Sequence, residues 1–119
     1  MKIQEKFDLT GRAAVVTGGV GLLGAEFCRT LAEAGAAVAV VDLNESASQA
    51  VAESLTSSGY QALAVPADIT QPASVNAAVD KVRSTFGRID ILVNSAALDP
   101  KFDPDTVNKV ITPGAFEDY

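Results

Sequence analysis

Eight residues near the amino terminus, T-G-G-V-G-L-L-G from Thr17 to Gly24, have the composition of a phosphate-binding turn. Glycine recurs at every third position, between an apolar run and a segment with helical spacing. The first glycine permits a tight turn, the second lets the backbone approach a pyrophosphate, and the third allows a helix to pack closely on a strand. The amino end of that helix would offer N–H groups and a partial positive charge to the phosphates. The residues expected to form this turn are Gly18, Val20, Gly21, Leu22, Leu23 and Gly24.

An acidic residue follows the next apolar run, at the distance that a dinucleotide site requires. Asp42 comes 18 residues after Gly24, where a carboxylate can accept hydrogen bonds from both hydroxyls of an adenosine ribose. The same carboxylate would repel a 2′-phosphate, and no arginine or lysine lies in the glycine loop or directly after Asp42 to offset that repulsion. We therefore predict that Asp42 and the adjacent Leu43 contact NAD(H) rather than NADP(H). The alternative is that Asp42 is a solvated loop residue that helps to cap the next helix.

The sequence contains no histidine and a single cysteine, Cys28. Nucleophilic systems that depend on histidine and most zinc sites are therefore excluded, and we predict no metal site. Cys28 falls on the apolar face of the first predicted helix, where we expect a buried, unreactive thiol. The net charge is −6 and no basic patch interleaved with aromatic residues is present, so we predict no nucleic-acid partner.

Apolar runs and helix-like segments alternate along most of the chain. Runs rich in valine and alanine predict four strands, at 12–17, 37–42, 61–68 and 89–94. The order βαβαβαβ with continuous apolar strands predicts an α/β fold, a Rossmann-type doubly wound parallel sheet of about four strands in the order 3-2-1-4. We expect residues 1–98 to form this dinucleotide-binding half-domain. Residues 99–119 lack periodicity and contain three prolines, so we expect an irregular tail or an incomplete substrate-side loop.

Three helices are expected between these strands. Asn44 and Thr70 are placed to cap the second and third helices, and Gly35, Gly59 and Gly87 to end all three. The residues expected to face the sheet are Leu23, Phe27, Leu31 and Ala34, then Ala47, Val51 and Leu55, then Val75, Val79, Val82 and Phe86.

Four segments together resemble the amino-terminal half of the short-chain dehydrogenase/reductase family. They are FDLTGRAAVVTGGVGLLG, VDL, ADIT and LVNSAA, and they lie within residues 7–98 with the family's spacing. The resemblance implies that Asp42 selects NAD and that Asp68 and Ile69 lie beside the adenine ring. It also implies that Asn94 and Ala96 belong to the segment that passes under the cofactor ribose. Without the family, Asp68 could simply end a strand and Asn94 could simply form a turn.

Two departures from the family pattern bear on the subgroup. Compact members usually have T-G-x-x-x-G-x-G, whereas Gly21 comes one position earlier here, a spacing more usual in the extended members. Ser95 and Ala97 also replace the second asparagine and the glycine of the family's Asn-Asn-Ala-Gly segment. The leading FDLTGR and the segment NSAA fit the compact group better, and we favour that group.

The family's catalytic residues have no counterpart in this sequence. The resemblance implies hydride transfer between a nicotinamide and a carbonyl carbon, with a tyrosine as general acid/base, a lysine four residues later and a serine that orients the substrate. Tyr60 is followed four residues later by Ala64, Tyr119 is the last residue, and Ser95 is not at the position of the family's serine. We therefore predict an NAD(H)-dependent oxidoreductase of alcohol or carbonyl substrates, present as an amino-terminal part that is inactive alone.

Two other functions stay open on the residues alone. One is a non-catalytic nucleotide-binding or interaction module whose natural length is 119 residues. The other is a methyltransferase, which also binds an adenosyl ligand at a glycine turn, although the T-G-G start, ADIT and NSAA argue against it.

The fourth predicted strand, I-D-I-L-V, is apolar on both faces and would form an exposed edge of the sheet. We expect a second copy of the chain or residues 99–119 to cover that edge. The sequence has no secretory apolar segment, and its longest apolar run, 36–41, is too short to cross a bilayer. We therefore expect a cytoplasmic protein without a membrane partner.

Overall fold

The computed structural model describes residues 2–96 as four strands and four helices. The elements are α1 (Ile3–Lys6), β1 (Ala13–Thr17), α2 (Leu22–Glu33), β2 (Ala37–Asp42), α3 (Glu45–Ser57), β3 (Ala62–Pro66), α4 (Pro72–Phe86) and β4 (Ile91–Asn94). The strands form one parallel sheet in the order β3-β2-β1-β4. This order confirms the predicted doubly wound α/β class. The expectations for Ala97 and for residues 99–119 lie outside the described residues.

The sheet separates two apolar layers. On one face, alternate residues of β1 and β2 pack with Cys28 and Ala32 of α2 and with Ala52 and Leu55 of α3. On the other face, the remaining strand positions pack with Val82 of α4. Because both faces of β1 and β2 are covered, these strands carry continuous apolar runs rather than the alternation of a half-exposed strand.

The buried helix faces match those predicted only in part. In α2 the buried residues are Gly24, Cys28 and Ala32, whereas Leu23 and Phe27 are exposed. In α3 the buried residues are Ser48, Ala52 and Leu55. Leu55 is buried as predicted, and the predicted Val51 is half-buried and packs against the same core layer. The predictions at Leu23 and Phe27 were wrong because they counted only large apolar side chains. Small residues line the contact instead, since they let a helix lie closer to the sheet.

The predicted cap of α4 was also wrong. The hydroxyl of Thr70 donates to Asp68 Oδ1 at 2.6 Å, so the helix begins after Gln71 with Pro72 in its first turn. Val82 is buried as predicted, but Val75 and Val79 remain exposed. The cap at Asn44 is confirmed, because its Oδ1 accepts a hydrogen bond from the Ala47 N–H at 3.0 Å.

One element was not predicted. α1 is a single turn with no buried residue, and Glu5 accepts a hydrogen bond from the Lys2 N–H at 3.2 Å. It contributes no residue to either core layer.

Candidate functional site

The carboxyl ends of the strands border a cleft of about 340 Å³. The chain runs outward from β1 to β2 and β3 and then returns to β4 on the other side of β1, so the direction of winding reverses between β1 and β4. In open α/β sheets, ligands bind at such a reversal. The cleft residues come from the last residues of β2 and from the segments that follow the four strands. They are Gly18, Val20, Gly21, Val41, Asp42, Leu43, Ala67, Asp68, Ile69, Thr70, Ser95 and Ala96.

The glycine turn lies directly against the segment after β4. Gly18 has a positive φ of 68°, which only glycine adopts without strain. A β-carbon at Gly18 would lie 2.7 Å from the Ala96 Cα and 2.8 Å from the Ala96 N, so no side chain fits between the two segments. Gly21 differs, because the nearest atom to a β-carbon there would be the Gly18 oxygen at 3.5 Å. The bare backbone at Gly21 therefore faces the cleft without being needed for packing.

The amino end of α2 points N–H groups toward this turn without a side-chain cap. Its N-cap residue is Gly21, and its first turn contains no acidic residue. α3 in contrast is capped by Asn44, and α4 begins with Pro72, which has no N–H to satisfy. The first N–H groups of a helix have no intrahelical acceptor and carry its positive dipole end. This end of α2 is therefore suited to an anionic ligand.

The carboxylate of Asp42 is held by two backbone N–H groups at the edge of the cleft. Oδ2 accepts from Val20 N at 3.4 Å, and Oδ1 accepts from Asn44 N at 3.1 Å. Each oxygen keeps a lone pair for a further donor. The contact with Asn44 is the one expected of a loop aspartate next to a helix start, whereas the contact with Val20 joins Asp42 to the glycine turn. Both interpretations of Asp42 thus have a structural counterpart in the same side chain.

Asp68 and Thr70, which follow β3, form a compact turn that lines another wall of the cleft than Asp42. The Oδ1 of Asp68 accepts from Thr70 N at 2.9 Å and from Thr70 Oγ1 at 2.6 Å, and these bonds hold the pKa of Asp68 below its usual range. Asp8 and Thr10 form the same turn at the other end of the molecule, with distances of 3.0 and 2.6 Å and a pKa of Asp8 lowered by the same bonds. Because Asp8 lies away from the cleft, it is a natural internal control for Asp68.

Eight predicted residues line the cleft, namely Gly18, Val20, Gly21, Asp42, Leu43, Asp68, Ile69 and Ala96. Four predicted residues do not. The side chains of Leu22 and Leu23 point into solvent, with 96% and 70% of their surfaces exposed. Gly24 is buried beneath the turn, and Asn94 faces a separate groove.

The sequence reasoning missed four cleft residues, which are Val41, Ala67, Thr70 and Ser95. Each one is next to a predicted residue at a strand end, so the strand-end rule could have found them. It also missed Thr17 as a link between strands. Its hydroxyl donates to the Val93 carbonyl at 3.4 Å and accepts from Ala96 N at 3.4 Å.

A second, apolar groove of about 350 Å³ lies between α4 and the sheet. Val75 and Val79 of α4 and Leu92 of β4 are among its walls, together with Asn94. Val75 and Val79, which were predicted to face the sheet, are exposed in this groove, and so is Leu92.

Comparison with known proteins shows the family of the chain. Residues 12–115 match the family model described as short chain dehydrogenase. The chain belongs to the short-chain dehydrogenase family. This membership supports the expectation drawn from the four segments, and it removes the methyltransferase alternative.

Individual members of the short-chain dehydrogenase family resemble the chain over most of its length. A short chain dehydrogenase/reductase from Macrophomina phaseolina is 37% identical over 101 residues, which are 84% of this chain and 58% of the relative. The crystal structure of a short-chain type dehydrogenase/reductase from Mycobacterium marinum superposes with a TM-score of 0.80 at 31% identity, covering 92% of this chain and 47% of that one. A 7α-hydroxysteroid dehydrogenase solved with NADH and a 7-oxo bile acid gives 0.76 at 34% identity, covering 89% and 43%. The chain thus spans roughly half the length of these family members.

Within residues 2–96, no group of three acidic, cysteine or histidine side chains is arranged to hold a metal ion. No helix of that range is long and apolar enough to cross a membrane.

Proposed function

We propose that these residues form the NAD(H)-binding part of an oxidoreductase that interconverts an alcohol and a carbonyl compound. The observation that carries the proposal is the position of Asp42 beside the glycine turn, with its Oδ2 3.4 Å from Val20 N. This contact places a carboxylate and the uncapped end of α2 in one cleft. In a dinucleotide, the carboxylate would bind a ribose hydroxyl and the amino end of the helix would bind the neighbouring pyrophosphate.

The residues present fit that cofactor. The space in front of Gly21 would be filled by a β-carbon, so the glycine leaves room for a ligand to approach the backbone. Ile69 and Leu43 give the cleft apolar walls that suit a flat ring, and the carboxylate of Asp68 is already fixed by Thr70. When bound, the nicotinamide would accept or donate the hydride.

We propose NAD(H) rather than NADP(H) as the cofactor. Among the described residues, no arginine or lysine lines the cleft. A 2′-phosphate would therefore meet the Asp42 carboxylate without a compensating cation, and like-charge juxtaposition costs several kcal/mol. In support, one structural relative was solved with NADH and another with NAD.

We further propose that these 119 residues carry out no turnover by themselves. The sequence has no tyrosine followed four residues later by lysine, so it offers no pair of the kind that performs the proton transfer. The catalytic tyrosine, the lysine and the substrate-orienting serine would have to come from sequence not included in these residues. We also propose membership of the compact group and a cytoplasmic location.

Titration with NADH and NADPH tests the cofactor assignment. Amide chemical shifts of the folded chain are followed up to millimolar ligand, because the cleft binds only part of the cofactor and we expect weak affinity. NADH should shift the amides of Val20, Gly21 and Ala96 more strongly than NADPH at equal concentration. Asp42→Asn keeps the size of the side chain and removes its charge, and we expect it to weaken NADH binding by about tenfold and to narrow the preference over NADPH.

Asp8→Asn is the matched control, because Asp8 is hydrogen-bonded in a similar way far from the cleft. It should leave both titrations unchanged. Tighter binding of NADPH than NADH would contradict the NAD assignment, and a folded chain whose cleft amides respond to neither ligand would contradict nucleotide binding. Turnover of NAD⁺ with any of a panel of secondary alcohols would contradict the proposed lack of activity.

A further inference from the structure

The loop between β3 and α4, residues 67–71, contributes four of its residues to the cleft. One of them, Ile69, also lines the apolar groove beside α4, so it lies at the boundary between the two. Leu43 offers Ile69 an apolar neighbour in the cleft, and Val75 and Val79 offer it others in the groove. Hydrophobic attraction has no direction, so it does not by itself keep Ile69 on the side of the cleft. A directional contact has to place this loop.

The hydrogen bonds within the loop do not join it to the body of α4. Ala67 N donates to the Asp42 carbonyl at 3.0 Å, which ties the start of the loop to the end of β2. Gln71 N donates to the Asp68 carbonyl at 3.1 Å, and Thr70 donates to the Asp68 carboxylate. The last two residues thus close a turn on Asp68 without fixing where that turn lies on the helix.

Ser74, in the first turn of α4, makes the missing connection. Its Oγ accepts a hydrogen bond from Asp68 N at 2.9 Å in a partly buried position. Among the described residues, it is the only side chain of α4 that hydrogen-bonds to the loop. In a capping box, the third residue of a helix reaches back to the N–H of the N-cap residue. Here the N-cap is Gln71, and the serine reaches past it to the first residue of the turn.

The turn at Asp8 and Thr10 shows that the serine is not needed to form the turn itself. The same two bonds from threonine to aspartate are present there. The amide of Asp8 donates to the Glu5 carbonyl at 3.4 Å instead of to a serine. The bond from Asp68 to Ser74 therefore governs the placement of the turn rather than its shape.

We propose that Ser74 is a positioning residue of the cleft. By holding the amide of Asp68, it orients the turn on α4 and keeps Ile69 in the wall of the cleft rather than in the groove. Ser74 lines neither of these two spaces, so it acts through Asp68 and Ile69. The inference rests on the proposed function in that the positioned wall would bind part of a dinucleotide.

Amide exchange and methyl chemical shifts without any ligand test the positioning directly. In Ser74→Ala, the Asp68 amide should exchange about fivefold faster than in the original chain, and the methyl shifts of Ile69 should move. The amides of Gly21 and Ala96, in other walls of the cleft, should keep their shifts. Alanine has a higher helix propensity than serine, so α4 should still form. An unchanged Asp68 amide and unchanged Ile69 methyl groups would show that the positioning role is wrong.

Ser74→Thr and Ser74→Val are a pair of variants with the same shape, of which only threonine keeps an oxygen that accepts from Asp68 N. Both side chains are β-branched, so they affect the helix to a similar extent. Threonine should restore the slow exchange of Asp68 and the shifts of Ile69, whereas valine should behave like alanine. Equal behaviour of the two variants would overturn the proposal, because the hydrogen bond would then have no effect.

Ser84→Ala is the control for the loss of a helical serine. Ser84 lies on the same helix, about 15 Å from Ser74 along its axis, and its exposed hydroxyl donates to the Lys81 carbonyl at 3.0 Å. The substitution should leave the Asp68 amide and the Ile69 methyl groups unchanged. If Ser84→Ala changes them as much as Ser74→Ala does, the effect is a general one of α4 and the positioning role is wrong.

The cofactor titration separates this inference from the proposed function. NADH should bind to Ser74→Ala about three- to tenfold more weakly than to Ser84→Ala, because the wall has to be ordered on binding, and Ser74→Thr should recover the affinity. If the original chain binds no dinucleotide, the proposed function fails, while the Asp68 amide and the Ile69 methyl groups still decide the role of Ser74. If NADH binds equally to Ser74→Ala and Ser84→Ala, the positioning role fails alone.

Discussion

Gly24 lies directly against the carbonyl group of Gly18, so closely that a β-carbon at Gly24 would overlap the Gly18 oxygen. The first turn of α2 therefore packs on the turn that follows β1, as well as on the strand itself. This contact separates two roles that the glycine pattern combines. The packing of the turn requires a glycine at position 24. It does not require one at position 21, where the missing side chain leaves room for a ligand instead.

Alanine at Gly24 should mainly lower the free energy of unfolding, whereas alanine at Gly21 should mainly weaken NADH binding. Gly21 has φ −68° and ψ 167°, which alanine tolerates, so Gly21→Ala should change the free energy of unfolding by less than about 1 kcal/mol. Its added methyl group should nevertheless weaken NADH binding, because it occupies the cleft. Gly24→Ala should lower the free energy of unfolding by about 1–3 kcal/mol through overlap with backbone. Urea unfolding and NADH titration measure the two effects, and equal loss of stability in both variants would contradict the separation.

The turns Asp8–Thr10 and Asp68–Thr70 provide a matched test of whether Asp68 takes part in NADH binding. Asp68→Ala and Asp8→Ala each remove the same pair of exposed hydrogen bonds, so each should lower the free energy of unfolding by a similar, small amount. Only the change at Asp68 should weaken NADH binding, since Asp68 lines the cleft. Isothermal titration or amide shifts report the affinity. Equal affinity in the two variants would remove Asp68 from the site.

Cys28 should be inert to thiol reagents in the folded chain. Its surface is fully buried, and burial raises the pKa of the thiol to about 12. The reactive thiolate is therefore scarce at neutral pH, and labelling by a disulfide reagent should follow the rate of opening of the structure. Rapid labelling under native conditions would show that α2 does not pack as described.

The same raised pKa predicts a dependence of stability on pH. An unfolded cysteine loses its proton near pH 8.5, whereas the folded one keeps it until about pH 12. Between these values the folded state binds more protons, so the free energy of unfolding should fall as the pH rises. Cys28→Ala should show a shallower alkaline decline than the original chain in urea unfolding. Identical slopes in the two proteins would contradict the shift.

The sheet order places β4 at an edge of the sheet. Within residues 2–96, β4 pairs with β1 and with no other strand, and its own Leu92 is exposed. We propose that a second copy of the chain covers this edge, and Leu92→Lys should then shift sedimenting species toward the monomer. Leu22→Lys is the control, because Leu22 is exposed on α2, away from the edge. A chain that sediments as a monomer before any substitution would contradict the proposal.

The order of the elements followed from the sequence because local signals agree with the fold. Valine-rich runs predicted β1 and β2 within a residue or two. The cap at Asn44 and the stop at Gly59 predicted α3 equally closely. The buried faces of α2 and α3 followed only in part. Cys28 and Leu55 are buried as predicted, but Phe27 is exposed, and the buried Ala32 and Ser48 were not predicted because small or polar side chains carry little hydrophobic signal. The depth of a helix on a sheet depends on the smallest residues at the contact, and these leave little trace in an apolar pattern.

The sequence by itself determined the parallel α/β fold, the family and the glycine turn, because each depends on residue type at a fixed spacing along the chain. The tertiary structure decided which residues share the cleft. It brought Val20 to Asp42 and Gly18 to Ala96, and it turned Leu22 and Leu23 into solvent and Asn94 toward the other groove. It also brought the N–H of Ala13 into a hydrogen bond with the carboxylate of Asp90. These contacts join residues that are distant in sequence, and their geometry depends on strand register and helix depth, which packing sets only once the whole sheet has formed.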